Sequence, residues 1–305
     1  MDTQGFVSYL QGRNLSPATQ ELYLRDAGFF FKWWKAEDIQ VSKSDILRYL
    51  EYLKNKGLQN KSRHQYLVAL NHYFAYLCEN EQIAVNPCLF LKIRGTKKKR
   101  LHKIYTLEEL ETLFDNFYQI FVRNVDYSRM PKGCREHTAL CRERNALVLS
   151  LVIYQRATSG EMEKIELGDI DFFKATIKIR GVRRGNDRTI PLNATQTGLL
   201  MHYLQNTRSK FAELYTIEND RLFLLPAESS LQSAFVTMME QIKSIDKQFF
   251  SFKQLRASTL CYWIKTHGLR KAQYLAGHRY VSSTEHYLAN NLEELIDDIN
   301  KLHPF

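Results

Sequence analysis

The residues best suited to chemistry lie close together near the carboxyl end of the chain. Lys253 and Arg256 form a K-x-x-R pair, a Gly-His dipeptide ends at His278, and Tyr287 follows that histidine by nine residues. Cationic and imidazole side chains can donate hydrogen bonds to phosphate oxygens, where negative charge grows during phosphoryl transfer. A tyrosine hydroxyl can attack phosphorus, and its aryl ester leaves readily in the reverse step. This window therefore predicts a phosphate-handling site that needs no metal ion or other cofactor.

Each residue of the window also has a plainer interpretation. Tyr287 is one of 17 tyrosines, and a tyrosine is ordinarily a packing residue. Arg256 alone would be a surface or ion-pair residue, and His278 after a glycine can cap a helix end. The joint spacing of the three residues favours the chemical interpretation.

The bulk composition favours a polyanion as the partner. The chain has 305 residues, enough for two domains, and it carries 43 Lys and Arg against 33 Asp and Glu, a net charge of +10. Such a charge can neutralise phosphates and release their counterions, although plain solubility is the alternative. No apolar stretch has the length of a membrane span, and no signal peptide is recognised. We therefore expect no membrane partner and a soluble, cytoplasmic protein.

The cysteines favour neither a disulfide framework nor a metal site. There are five of them, an odd and scattered set that indicates a reducing compartment. Cys134, His137 and Cys141 lie close together, but three ligands without a fourth are weak evidence for zinc. We predict no metal.

Residues 1–90 are predicted to form a helical domain of four helices. Ser16-Pro17 supplies a cap and a first-turn proline for the second helix, and Ser44 is assigned as the cap of the third. The aromatic residues from Phe29 to Trp34 favour a core over a binding surface.

The fourth helix of this domain is a candidate DNA contact. Lys61, Arg63 and His64 lie in its first turns, where positive charge opposes the helix dipole. A phosphate would compensate these charges, and a solvated polar face is the alternative.

Residues 91–103 are predicted to be a basic linker that follows a DNA backbone. They hold seven Lys and Arg and no acid, so the run repels itself and should not pack into a core. A simple tether or a localisation signal would have the same composition. The DNA-binding candidates in it are Lys97, Lys98, Lys99 and Arg100.

Residues 104–305 are predicted to form the second domain. Thr106 and Glu109 have the spacing of a capping box, residues 122–137 are assigned to a loop, and helices are expected over 139–155 and near 160–167.

The hydrophobic period then alternates, which predicts a hairpin of strands 175–180 and 188–192. Its tip carries the two cations Arg183 and Arg184, a basic group in addition to the linker, and Arg184 is a DNA-binding candidate. Helices are expected over 194–214 and 231–244. An apolar stripe over 292–302 is expected to pack on its own domain or on a neighbouring subunit.

The window resembles the carboxyl-terminal motif of the tyrosine recombinases, the phage integrase family. That family has H-x-L-R followed by Ser or Thr, then L-G-H, then a tyrosine nine residues after that histidine. Residues 253–258 resemble the first part, residues 276–278 the second, and Tyr287 lies at the nucleophile step. Upstream, Glu161-Met and residues 167–171 resemble the segment that precedes the family's hairpin. The resemblance covers nearly the whole chain.

Three family positions are changed in this sequence. The family's first arginine corresponds to Thr158, and Arg156 lies two residues earlier, a rotation of roughly 200° on a regular helix. Arg156 could then serve only if the helix begins irregularly. The hairpin lysine, a general acid in the family, corresponds to Arg183, which holds its proton too tightly for that role but can still supply positive charge to the active site. Lys253 replaces the first histidine and can donate to an oxygen or act as the acid.

The resemblance implies a mainly helical, two-domain DNA clamp with a small antiparallel β-hairpin or sheet in the second domain. It implies a site-specific recombinase that cuts and rejoins DNA through a 3′-phosphotyrosyl intermediate, without cofactors. The implied partners are double-stranded DNA, a homotetramer on two DNA sites, and accessory DNA-bending proteins. Three alternatives are a DNA-binding regulator on the same scaffold, a relaxing topoisomerase and a helical interaction scaffold.

Overall fold

The chain folds into two compact units, Met1–Arg100 and Leu101–Phe305. The structure is a computed structural model that describes residues 1–34, 40–95, 103–182, 185–226 and 229–288. The described part is mostly helical with one small antiparallel sheet, which confirms the predicted fold class.

Four helices form the described part of the first unit. They are α1 (Thr3–Gly12), α2 (Pro17–Trp34), α3 (Lys43–Asn55) and α4 (Asn60–Glu79). Ser16 accepts a hydrogen bond from the Thr19 amide and starts α2 as predicted. The predicted cap of α3 is wrong, because Ser42 and Asp45 form the capping box there. Asp45 lies three residues after Ser42, the spacing that a reciprocal cap requires.

The core of the first unit is largely aromatic. Phe30 is fully buried and packs edge-on against Tyr49 and Phe74, at centroid distances of 5.1 and 6.0 Å. Phe29 is instead 43% exposed, so the aromatic run of α2 is only partly core. Ile93, in the predicted basic linker, also packs on this core, so the described beginning of that segment is not an extended tether.

The second unit is built around one buried helix. Its elements are α5 (Leu107–Tyr118), α6 (Lys132–Tyr154), α7 (Ser159–Met162), β1 (Ile170–Asp171), β2 (Thr176–Ile179), β3 (Arg188–Pro191), α8 (Ala194–His202), α9 (Arg208–Tyr215), α10 (Gln232–Ile245), α11 (Phe252–Leu275) and α12 (Ser282–Glu285). Every residue of α6 from Arg144 to Ile153 is buried. This burial explains why the part from Ala146 onward is apolar on nearly all sides, with Ser150 as its polar exception.

Two predicted boundaries of this unit are wrong. The predicted loop 122–137 includes the first turns of α6, which begin directly after Pro131. The helix predicted near 160–167 is the single turn α7, followed by a 3₁₀ turn over Leu167–Asp169. Glu166 and Asp169 form a reciprocal capping box around this 3₁₀ turn, so the turn is separate from α7.

The three strands form one antiparallel sheet in the order β1-β2-β3. Ile177 pairs with Ile190 across β2 and β3, and both side chains face the core of this unit. The same alternation turns Arg188, at the start of β3, toward the interior, where it is 2% exposed. The sheet thus places a buried arginine where α7 and the end of α11 meet it.

Candidate active site

Tyr287 lies just after α12, against the core of the second unit. Its amide donates to the Thr284 carbonyl over 3.0 Å, and its ring is partly buried. The ring stacks on the His278 imidazole with centroids 6.5 Å apart and an interplanar angle of 27°. The nine residues from His278 to Tyr287 thus form a turn of the chain that brings the tyrosine ring back onto the imidazole.

His278 follows the end of α11 through a glycine that the geometry requires. Gly277 has φ +66°, and a Cβ there would lie 2.7 Å from Nη1 of Arg188 and 2.9 Å from the Asn186 carbonyl oxygen. An L side chain would be strained by that dihedral and would also clash. The Asn186 amide donates to the Gly277 carbonyl over 2.9 Å, which ties the base of the hairpin to the site.

The imidazole of His278 is neutral at physiological pH. Burial first, and then the charges of Arg156 and Arg188, lower the pKa of His278 to about 4. Its Nδ1 lies 2.9 Å from the Thr284 hydroxyl oxygen. A neutral imidazole offers one donor and one acceptor nitrogen.

Arg256 lies in the second turn of α11, and two side chains near it anchor that helix. The Thr259 hydroxyl donates to the Ile153 carbonyl over 2.6 Å, and the Ser258 hydroxyl accepts from the Tyr105 amide over 2.9 Å. Burial lowers the pKa of Arg256, and its buried Nε has no acceptor among the described residues. The guanidinium is thus held near Tyr287 with hydrogen-bonding capacity to spare.

Arg156 reaches the site from a loop, so the expectation based on a regular helix does not apply. Helix α6 ends at Tyr154, and Arg156 has φ +54°, the left-handed region. Its Nε donates to the Arg256 carbonyl over 3.0 Å, and its guanidinium carbon lies 5.8 Å from the centre of the Tyr287 ring. Burial lowers its pKa, while contact with the Tyr287 hydroxyl opposes that effect.

Thr158, at the position of the family's first arginine, serves as a helix cap. Its hydroxyl accepts from the Glu161 amide over 3.3 Å and donates to the Glu161 carboxylate over 2.9 Å. The left-handed backbone at Arg156 lets this arginine, two positions before Thr158, reach the site, while Thr158 still caps α7.

Arg188 is a residue of the site that sequence reasoning missed. Its Nη1 donates to Oε1 of Glu161 over 2.6 Å, and both side chains are buried. Burial alone would raise the pKa of Glu161, but this bond, the charge of Arg188 and the contacts from Thr158 lower it overall. The available signal was its place on the apolar side of a predicted strand, where a buried arginine needs a partner.

The remaining predicted site residues are not brought to Tyr287 by any described contact. Lys253 is exposed in the first turn of α11, one turn before Arg256. Arg183 and Arg184 lie outside the described residues, although Gly185, the next residue, bridges to His278.

Apart from Arg184, the predicted DNA-binding residues belong to the first unit. Lys61 and His64 are exposed on α4, whereas Arg63 is half-buried and bonds to Asn60 and to the Leu50 carbonyl. Helix α4 begins without a side-chain cap at Gln59. The basic run Lys97, Lys98, Lys99 and Arg100 lies outside the described residues.

Nothing in the described part of the chain suggests a metal or a membrane segment. No group of three His, Cys, Asp or Glu residues is found there that could hold a metal ion. The imidazole of His137 instead bonds to the Tyr215 hydroxyl over 2.9 Å, and Sγ of Cys141 lies 3.7 Å from Nε2 of the same imidazole. Within the same residues, no helix is both long and apolar enough to cross a membrane.

Two family models match this chain. The model of the phage integrase family matches residues 121–294, more than half of the chain, and the model of the phage integrase N-terminal SAM-like domain matches residues 3–81. The first match contains all of the residues gathered around Tyr287.

Relatives and a solved structure agree with these matches. Tyrosine recombinase XerC of Anoxybacillus flavithermus is 27% identical over 295 residues, covering 92% of this chain and 90% of that protein. Tyrosine recombinase XerD of Listeria monocytogenes is 23% identical over 304 residues, covering 96% and 94%. The fold is shared with the XerH site-specific recombinase bound to palindromic difH substrate in a post-cleavage complex, with a TM-score of 0.68 at 20% identity and coverage of 95% and 82%. The chain belongs to the phage integrase family, the tyrosine-type site-specific DNA recombinases.

Proposed function

We propose that this recombinase cuts and rejoins duplex DNA through a 3′-phosphotyrosyl bond to Tyr287. The observation that carries the proposal is the Arg156 guanidinium, 5.8 Å from the centre of the Tyr287 ring and bonded to the main chain of Arg256. A tyrosine that only packs in a core would not need two half-buried cations beside it.

The charge balance of the site suits a phosphodiester. Among the described residues, Arg188 bonds to the Glu161 carboxylate, and the charge of Glu161 also acts on Arg256. Arg156 lies near both of these cations and has no carboxylate of its own among its main electrostatic partners. The buried Nε atoms of Arg188 and Arg256 have no acceptor among the described residues. A phosphodiester carries one negative charge and gains more in its transition state, so preorganised guanidinium donors stabilise that state more than the ground state.

In the proposed reaction, the Tyr287 hydroxyl loses its proton to solvent, and its oxygen forms a bond to phosphorus while the bond from phosphorus to the 5′ oxygen breaks. The electron pair stays on the 5′ oxygen, which takes a proton from a general acid. Lys253 is one candidate for that acid, since it lies on the helix of Arg256, one turn earlier and in contact with solvent. Rejoining is the reverse, with the 5′ hydroxyl of a partner strand as the nucleophile.

The proposed DNA contacts of the first unit centre on the start of α4. Lys61 and His64 are exposed there beside helix amides that no side chain caps. A DNA phosphate would satisfy those amides and also the nearby positive charges. Lys97, Lys98, Lys99 and Arg100 are proposed as further backbone contacts, as is Arg184 in the second unit. Arg183 is proposed to supply positive charge at the active site. Association with the nucleoid would follow from DNA binding.

The proposed assembly is a tetramer on two DNA sites. XerH was solved on a palindromic substrate, and a palindrome suits two copies of one chain related by a two-fold axis. Exchange between two such sites needs four protomers and passes through a Holliday junction. Accessory DNA-bending proteins would assist where two sites must be brought together.

Replacing Arg156 by glycine is expected to lower the cleavage rate by about 10²- to 10³-fold, the effect of removing one transition-state donor. Glycine suits the left-handed backbone at φ +54°, which offsets part of the stability lost with the Arg156 hydrogen bonds to the Arg256 and Ala276 carbonyls, so the melting temperature should fall only slightly. Single-turnover cleavage and thermal unfolding measure the two effects. Thr158→Ala is the control: loss of the cap should cost about 1 kcal/mol of stability with little loss of rate. Equal rate losses in both variants would contradict the role of Arg156.

Covalent trapping from a random pool tests the proposed function and selects the target sequence in the same step. The protein is incubated with a pool of random-sequence duplexes that carry a nick, and adducts that survive detergent are isolated and sequenced. The tryptic peptide of residues 280–301 contains both Tyr280 and Tyr287, so tandem mass spectrometry can identify the modified residue. We expect the nucleotide remnant on Tyr287.

Other outcomes would favour other functions. DNA binding without any adduct would favour a regulator. Relaxation of supercoils without enrichment of a sequence would favour a topoisomerase. An adduct on Tyr280 would contradict the assignment of the nucleophile.

A further inference from the structure

The hydroxyl of Thr284 is fully buried beside the candidate active site. Thr284 lies in α12, is 0% exposed, and its amide donates to the Val281 carbonyl over 2.7 Å. Its hydroxyl oxygen lies 2.9 Å from Nδ1 of His278, and no other hydrogen bond of this hydroxyl is found among the described residues. The positions of the protons on Thr284 and His278 therefore depend on this one hydrogen bond between them.

The imidazole can adopt two neutral forms, which differ in what the hydroxyl must do. If Nδ1 carried the proton, it would donate to the hydroxyl oxygen, and the hydroxyl proton would be buried without an acceptor. If the hydroxyl donates to Nδ1, its proton is satisfied and the imidazole proton lies on Nε2. A buried donor without an acceptor is costly, so the second arrangement is favoured.

The charged and titratable groups around the ring favour the same arrangement. Arg156 and Arg188 disfavour a positive imidazole, Glu161 acts weakly in the opposite sense, and the Tyr287 ring stacks on it. A neutral ring with its proton on Nε2 is a donor that presents no acceptor nitrogen to the site. A phosphate oxygen held by neighbouring guanidinium groups would accept from it.

We propose that Thr284 is a positioning residue that holds His278 in the tautomer with the proton on Nε2. His278 then acts as a neutral hydrogen-bond donor to the phosphate and does not accept the proton of Tyr287. The identity of the acceptor rests on the proposed function, whereas the tautomer does not.

Nitrogen NMR of the full-length protein labelled with ¹⁵N-histidine tests the tautomer directly. The chain has nine histidines, and the variant His278→Asn identifies the resonances of His278 by their loss. We expect the wild type to show a protonated Nε2 and an unprotonated Nδ1 near neutral pH. A protonated Nδ1 in the wild type would overturn the proposal, whatever the variants do.

Two variants separate the tautomer from packing. Thr284→Val removes the hydroxyl with little change of shape and should move both nitrogen resonances toward values averaged over the two tautomers. Thr284→Ser keeps the hydroxyl and should restore the wild-type pattern. An unchanged spectrum in Thr284→Val would overturn the proposal.

Cleavage of the duplexes recovered by covalent trapping provides a second readout. Thr284→Val should cleave on the order of 10-fold more slowly, the effect of losing one orienting hydrogen bond, and Thr284→Ser should recover most of that loss. Equal rates in the wild type and Thr284→Val would also overturn the proposal. Failure of the wild type to form any adduct would instead contradict the proposed function, because the NMR result does not depend on it.

Discussion

Replacing Tyr287 by phenylalanine is expected to lower covalent adduct formation by at least about 10⁴-fold, the scale seen when a nucleophile is removed from a catalytic group. Phenylalanine keeps the ring that stacks on His278 at 6.5 Å and lies 5.8 Å from the guanidinium carbon of Arg156. Only the attacking oxygen is lost. The melting temperature and the affinity for the selected duplexes should therefore stay close to those of the wild type. Single-turnover cleavage, thermal unfolding and a binding titration measure the three quantities.

Tyr280→Phe is the matched control for this experiment. Tyr280 lies seven residues earlier and is 55% exposed, with the Arg279 guanidinium 5.7 Å from its ring centre. Its loss should leave the cleavage rate within about twofold of the wild type, as is usual for an exposed residue away from the chemistry. If Tyr287→Phe formed adducts at the wild-type rate, another residue would be the nucleophile.

The second large effect is expected on stability, from the buried pair of Arg188 and Glu161. The pair has an N to O distance of 2.6 Å, and its side chains are 1% and 8% exposed. Arg188→Met should lower the free energy of unfolding by about 3–5 kcal/mol, because it leaves a carboxylate buried without its partner. Glu161→Gln strands the arginine among other cations and should also destabilise.

The double variant distinguishes a buried ion pair from simple loss of packing. Arg188→Met combined with Glu161→Gln strands no charge, so it should be at least as stable as the Arg188→Met variant. The surface pair of Lys174 and Asp171 is the control, since its side chains are 74% and 41% exposed at 3.5 Å. Lys174→Met should change stability by less than about 1 kcal/mol. Additive losses in the double variant, measured by denaturant unfolding, would contradict the ion-pair account.

Local patterns predicted several elements well because their causes are local. The capping box of Thr106 and Glu109 depends only on residues three apart, and the helix begins there. The same rule would have found Ser42 with Asp45, whereas Ser44 has no such partner. The start of α6 was missed because Lys132–His137 is polar, and polarity does not separate a loop from the exposed first turns of a long helix.

The sequence by itself determined the family and the set formed by Arg256, His278 and Tyr287. Because these residues lie within one short segment, their spacing determines whether the folded chain can bring them together, and the resemblance can therefore be recognised from the sequence. Their catalytic roles stay predictions until the adduct is mapped. Lys253, which belongs to the same pattern, is also close in sequence but lies exposed.

Only the tertiary structure decided which arginines join that set. Counting along a regular helix placed Arg156 on the wrong side, but a single left-handed residue at φ +54° redirects it to the Arg256 carbonyl. Arg188 joins the set from strand β3, 27 residues after Glu161, because the buried carboxylate of Glu161 requires a charged partner. A backbone dihedral and a long-range burial are properties of the folded chain, and no spacing in the linear sequence encodes them directly.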